Sequence, residues 1–320
     1  MNIYNLTRKV FLNKETCVEW CRENRLLHIQ VSCPSCYSNM VFSFDKNSYG
    51  QFRCRRKHRD GKDRYFSIKK NTWFEGIRIS IPKAILLTYC FVRQFSYEQA
   101  VIETSLEEET TSSETVADWF SFCRELCVVG LDRLYENTGK IGGPGHIVEI
   151  DESKIGKRKY NVGRIVEGQW LLGILDLGTL ENPTRKYRIE ILPNNQRDGE
   201  TLLELINRHV EKDTTIVTDC WRGYNGLDAD GFNHLTVNHS YNFVDPETFA
   251  HTQNIESSWR SLKKRILRGG VRKEYLADHL CEYLWRTEMI NKKKDFFEGF
   301  LEEIRLVYPI RGEPEVIVLD

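Results

Sequence analysis

Asp151, Asp219 and Glu256 are the residues of this sequence whose types and order could do metal-assisted chemistry. Asp151 lies in the apolar run HIVEIDES, Asp219 ends TTIVTD, and Glu256 follows Asp219 by 37 residues within HTQNIESSWRSLKKRI. The first two segments read as strands and the third as a helix. Neighbouring strands can bring two carboxylates to one edge of a sheet, and a helix packed over that edge can add a third. An oxygen-only cluster suits Mg²⁺ or Mn²⁺, hard cations that keep water positions open for phosphate. Two such ions about 4 Å apart support in-line displacement at phosphorus. A single Asp at a strand end is ordinarily a turn former or cap, so the expectation rests on three acids in the right order.

A second constellation lies near the amino terminus. Cys33 and Cys36 form a CxxC knuckle, and Cys54 with His58 gives a CxxxH pair after a hairpin-sized interval. Two close pairs of such ligands describe a structural Zn²⁺ site, with His58 the less usual member. The other cysteines of the ten in the chain are expected as buried thiols.

The 46 basic and 46 acidic side chains cancel, so there is no overall basic field for a polyanion. The charges are segregated, however. The segment Arg53–Lys70 is strongly basic, as is Arg260–Lys273, whereas Glu103–Glu114 and Glu298–Glu303 are acidic. Arg55, Arg56, Lys57, Arg59 and Arg64, interleaved with Tyr65 and Phe66, fit phosphate contact. Arg222, Arg260, Lys263 and Lys264 stand close in sequence to the acids and could offset phosphate charge. Trp221 and Tyr224 read as packing residues. His251, one helical turn before Glu256, could position a water or phosphate, and serves equally well as a structural histidine. No window approaches the roughly 18 apolar residues of a membrane span, and the first ten residues lack a signal-peptide pattern.

The elements that must position these residues fall into blocks. A helix is expected over about Thr16–Gln30, then short strands at Met40–Phe44 and Gln51–Cys54 around a turn at Asn47–Gly50. Pro82 opens a helical stretch, followed by helices near Ser96–Thr104 and Ser112–Tyr135. These could form a helix-turn-helix. After the glycine-rich TGKIGGPG come strands at His146–Ser153, Gly163–Glu167, Gln169–Leu177 and Tyr187–Leu192. A helix over Gly199–Val210, strands at Thr214–Asp219 and His234–Ser240, and helices at Thr252–Leu267 and Tyr275–Asn291 complete the reading.

The blocks EIDESKIGKRK, VTDCWRGY and HTQNIESSWRSLKKRI together resemble the catalytic blocks of Merlin-type DDE DNA transposases and their bacterial insertion-sequence relatives. The resemblance runs from about Cys33 to Asn291. It implies an α+β fold: a ribonuclease-H-like mixed sheet flanked by helices, preceded by a zinc-ribbon-like β module and a helical segment. It also implies catalysis by Asp151, Asp219 and Glu256 with Mg²⁺ or Mn²⁺, a structural Zn²⁺, and double-stranded DNA as partner, both terminal repeats and target. A homodimer or higher assembly on DNA is expected, in the nucleus of a eukaryote or the cytoplasm and nucleoid of a bacterium. The domains expected are 1–80 (zinc-ribbon-like module), 81–140 (helical), 141–295 (catalytic) and 296–320 (tail). A domesticated descendant that only binds DNA is the alternative function.

Overall fold

The structure, a computed structural model, describes residues 2–10, 13–45, 47–105, 109–156, 168–238, 251–266 and 271–310. The chain divides into two compact units: Met1–Leu126 with Lys293–Asp320, and Cys127–Lys292.

The first unit begins with α1 (Ile3–Val10) and α2 (Lys14–Glu23). Asn13 caps α2 by accepting the Thr16 N–H. The helix stops earlier than the apolar spacing predicts, because Arg25 turns left-handed and Leu26 N–H bonds back to the Cys21 carbonyl, closing the last turn. Three short antiparallel strands follow in the order β1 (Val41–Ser43), β2 (Gln51–Arg53) and β3 (Tyr65–Ser67). Phe52 and Phe66 are paired in register and both buried. The β1–β2 turn requires Gly50: its φ is +115° and a Cβ there would meet the Phe42 ring at 2.6 Å.

Helix α3 (Ile81–Val92) has Ser80 as cap and Pro82 in its first turn, and is buried along most of its length. Helix α4 (Tyr97–Thr104) starts with a Ser96/Gln99 capping box, and α5 spans Ser113–Thr138. Trp73 stacks on Phe122 at 4.0 Å between ring centroids.

In the second unit β4 (Ile141–Gly142) precedes β5 (Ile147–Ile155), β6 (Gln169–Gly178) and β7 (Pro183–Ile191); α6 (Gly199–His209), β8 (Val210–Glu211), β9 (Thr215–Asp219), β10 (Asn233–Val237), α7 (Gln253–Ile266) and α8 (Leu276–Asn291) follow. The main sheet has the order β10-β9-β5-β6-β7. β10, β9 and β5 run parallel, and β5, β6 and β7 are antiparallel. This is the mixed sheet flanked by helices that the sequence led us to expect. The strand expected at Gly163–Glu167 lies outside the described residues, as do Ser240 and Leu267 at the ends of two other expected elements.

One face of the sheet buries Val148, Ile150, Leu172 and Ile174 against Leu202, Leu205 and Ile206 of α6. Alternation along β5 sends Glu149 and Asp151 to the opposite face. There α7 packs with Ile255, Trp259, Leu262 and Ile266, an i, i+4, i+7, i+11 stripe. The chain returns to the first unit as α9 (Phe296–Val307), whose residues are expected from sequence in a C-terminal tail. Asp295 caps it, and Phe297, Phe300, Leu301 and Ile304 are buried, with Phe300 against Phe91. An apolar stripe of that size favours a packed helix over a solvated tail, despite its acidic outer face.

Candidate active site and metal-binding module

The register of the sheet sets the relation between the two aspartates. Ile147, Val148 and Glu149 of β5 pair with Thr215, Ile216 and Val217 of β9. Two residues further along both parallel strands stand Asp151 and Asp219, at matching positions on the same face, with adjacent strands about 4.8 Å apart. Asp219 Oδ1 accepts the Trp221 N–H at 3.0 Å, an Asx turn that orients the carboxylate as the strand ends. Glu256 is in the first turn of α7 and accepts from the Thr252 hydroxyl at 3.3 Å. Burial pushes the Asp151 carboxyl up to about 7, with Glu152, Asp219 and Glu256 adding repulsion. A half-buried acid crowded by three others is electrostatically suited to a cation.

Glu149 lies at the heart of this arrangement. It is fully buried, and its oxygens accept from Asn254 Nδ2 at 2.7 Å and from the Ile255 N–H at 2.8 Å. His251 Nδ1 lies 3.3 Å from the same carboxylate without hydrogen-bond geometry. Burial raises the Glu149 carboxyl, while Asn254, the Ile255 N–H and His251 pull it down. Across the ladder from Asp151 stands Gly173, where a Cβ would come within 2.6 Å of the Trp259 ring. Trp259 is three residues after Glu256, so the bare glycine lets α7 approach the sheet at Asp151.

On the other face, Glu152 is fully buried and binds Arg197 through Nε at 3.2 Å and Nη2 at 3.4 Å. The Arg197 guanidinium lies 4.7 Å from the Trp170 ring centroid and 4.1 Å from that of Trp221. Trp221, whose amide holds Asp219, is thereby tied to β5. Tyr224 is buried in the core, so both aromatics of the VTDCWRGY block are packing residues, as expected. Arg222 is exposed. Arg260, Lys263 and Lys264 follow Glu256 by four, seven and eight residues, a single stripe of α7; Arg260 and Lys264 are exposed and Lys263 is half-buried. Arg265 turns to Glu282 at 2.9 Å.

In the first unit the ligand atoms of Cys33, Cys36, Cys54 and His58 all lie within 4.8 Å of one another. Cys33 Sγ is 3.7 Å from His58 Nε2, and Cys36 Sγ is 3.6 Å from Cys54 Sγ. Zn–S bonds of about 2.3 Å in a tetrahedron give edges of about 3.7 Å, so the four residues fit zinc. The knuckle is shaped by Tyr37 at φ +57°, whose N–H bonds to the Cys33 carbonyl at 2.8 Å. The Ser38 backbone N–H, then its hydroxyl, lowers the Cys36 thiol to about 7, which favours the metal-binding thiolate. Arg55, Arg56, Lys57 and Arg59 are exposed around the cluster. Arg64 differs: it bonds Asp60, Ser35 Oγ and the Lys62 carbonyl, which closes the basic loop on itself.

Residues 142–288 match the ISXO2-like transposase domain. An uncharacterized transposase-like protein of Haemophilus influenzae is 32% identical over 97 residues, covering 30% of this chain and 76% of that protein. The chain belongs to the ISXO2-like transposases. The matched stretch of this transposase spans the whole five-stranded sheet and α7, with Asp151, Asp219 and Glu256 inside it. This is the DDE class that the three sequence blocks resemble. Two solved assemblies, the Mos1 strand transfer complex and a pre-cleavage Mos1 transpososome, share 12% identity with it. The first covers 70% of this chain and 74% of its own at a TM-score of 0.29; the second covers 71% and 96% at 0.28. No described helix is long and apolar enough to cross a membrane.

Among the functional candidates, Glu149, Gly173 and Arg197 escaped the sequence reading. Alternation in EIDE does place Glu149 on the face of Asp151, and a buried acid must find partners. That was the available signal.

Proposed function

We propose that this transposase cleaves transposon ends and joins them to target DNA, with Asp151, Asp219 and Glu256 holding two divalent cations, Mg²⁺ or Mn²⁺. The observation that carries the reading is the matched register of Asp151 and Asp219, with Glu256 near enough to raise the Asp151 carboxyl. Cations bound there would supply Lewis acidity and lower the pKa of a nucleophilic water or hydroxyl. The protein's own part is to hold three carboxylates at fixed spacing, exclude bulk water from the Asp151 side, and present cationic side chains to the phosphates. Arg260, Lys263 and Lys264 continue the Glu256 stripe along α7, and Arg222 follows Asp219, so a DNA backbone laid along α7 would meet positive charge beside the acids.

The Cys33, Cys36, Cys54 and His58 cluster holds a structural Zn²⁺ in this reading, and it presents Arg55, Arg56, Lys57 and Arg59 to duplex DNA. The enzyme would act as a dimer or larger assembly, since both ends of an element must be cut. In this reading the functional blocks are the zinc module of residues 1–80, a helical block of 81–140 and the catalytic block of 141–295, with α9 returning to the first unit.

The test is Mg²⁺- or Mn²⁺-dependent cleavage and joining of labelled DNA carrying the flanking terminal repeats, comparing the parent with Glu256→Gln. Retained binding with lost cleavage and joining in the variant supports the reading. Equal cleavage by both removes Glu256 from the site, and binding without cleavage by either protein overturns the enzymatic function.

A further inference from the structure

We propose that Glu149 is the positioning residue that sets Glu256 over the two aspartates, by seating the first turn of α7 on β5. The proposal rests on the reading of Asp151, Asp219 and Glu256 as a cation site. A fully buried carboxylate is costly without partners, and those of Glu149 come from one short segment that starts α7. Asn254 and Ile255 are 105 and 106 residues away in sequence, yet both lie within two residues of Glu256.

The geometry is a short, stiff linkage. Glu149 and Asp151 are two residues apart on one strand face, roughly 7 Å along the strand. One hydrogen bond then connects Glu149 to the backbone of Ile255, the residue before Glu256. The negative carboxylate also meets the positive end of the α7 dipole. Gly173 lets Trp259, one turn further along the Ile255 stripe of α7, come close to the same sheet face.

The chemistry of the seat is specific. Ile255 N–H and Asn254 Nδ2 both donate, so the acceptor must offer two oxygens. Leucine at position 149 offers neither donor an acceptor, whereas glutamine keeps its oxygen for the Ile255 N–H and turns its NH₂ toward Asn254, whose amide can flip and accept through Oδ1. Adding Asn254→Asp to the glutamine variant fixes that reversed match, because the NH₂ then faces a carboxylate that can only accept.

The experiment uses the full chain and Mn²⁺ alone as probe, with binding measured by calorimetry and folding by circular dichroism. Glu149→Leu is expected to weaken Mn²⁺ binding roughly 10- to 100-fold, the usual effect of removing a partner that orients a metal ligand. Glu149→Gln with Asn254→Asp is expected to return to within about threefold of the parent. The proposal is overturned if Glu149→Leu binds Mn²⁺ normally, or if the double variant is as weak or as poorly folded as Glu149→Leu, which would make Glu149 a merely structural acid. Glu256→Gln separates the two levels. If it binds Mn²⁺ as tightly as the parent, the cation-site reading falls and the positioning role with it; if it is weak while Glu149→Leu is normal, only the positioning role falls.

Discussion

Gly173 faces Asp151 across the β5–β6 ladder, and the Trp259 ring occupies the space that a side chain at Gly173 would need. Gly173→Val is therefore expected to lift the start of α7 off the sheet. Overpacking of this kind costs about 1–3 kcal/mol, a few degrees in Tm. Since α7 carries Glu256, DNA cleavage should fall much further than stability does. Equal activity at reduced Tm would show that the approach of α7 at Gly173 does not set the site.

The acid cluster should destabilise the metal-free protein. The Asp151 carboxyl is raised to about 7, so between about pH 4 and 7 the folded state keeps a proton that the unfolded chain has lost. The group's cost to stability grows as pH rises through that window and is complete above it. Asp151→Asn should raise Tm by several degrees in EDTA at pH 8 and by much less at pH 5. Added Mn²⁺ should raise the Tm of the parent and leave that of Asp151→Asn nearly unmoved. Thermal scans at the two pH values decide this, and a parent insensitive to Mn²⁺ would contradict it.

Arg197→Ala should be among the more damaging substitutions in the second unit. It strands the fully buried Glu152 and frees Trp221, the residue whose amide orients Asp219. Breaking a fully buried pair costs about 3–5 kcal/mol, and with Arg197 29% exposed the cost here falls below that range, whereas replacing both members with apolar groups is often nearly neutral. Arg197→Met with Glu152→Met should thus be more stable than Arg197→Ala alone. Urea denaturation of the parent and the two variants tests the ordering; a single variant as stable as the parent would mean Glu152 is solvated by other means.

How far these relations could be read from the sequence depends on their range. The strand and helix types around Asp151, Asp219 and Glu256 follow from local periodicity. The pairing of β5 with β9 joins segments some 68 residues apart and has no local signal, although register decides whether the aspartates coincide. Glu149 looks like one more acid in EIDES until α7 is seen above it. Strand β3 is hidden because Tyr65–Ser67 has only three residues among charged neighbours. Helix α9 did have a signal, Asp295 before FFEGFLEEI, but Glu298, Glu302 and Glu303 gave that stretch the look of a solvated tail.

Chelation separates the two metal functions. The zinc module has little core beyond Phe52, Phe66 and their neighbours, so it depends on its ligands. Cys36→Ser should remove stoichiometric zinc, measured by atomic emission, and expose the segment from Cys33 to Lys70 to limited proteolysis while the second unit resists. A zinc-free chain with an uncut module would refute the assignment.

The salt dependence of DNA binding distinguishes the arginines of the basic loop. Arg55, Arg56 and Lys57 are exposed, whereas Arg64 is held by Asp60 and Ser35. Each phosphate contact contributes about 0.9 to the slope of log K against log salt for duplex DNA. Alanine at Arg55, Arg56 and Lys57 together should lower that slope by about 2–3 and weaken binding alike on all sequences. Arg64→Ala should change it by less than about 1 and act instead on the stability of the zinc module. A triple variant with an unchanged slope would move the DNA contact off this loop and onto the cationic stripe of α7, where Arg260 and Lys264 would be the next pair to replace.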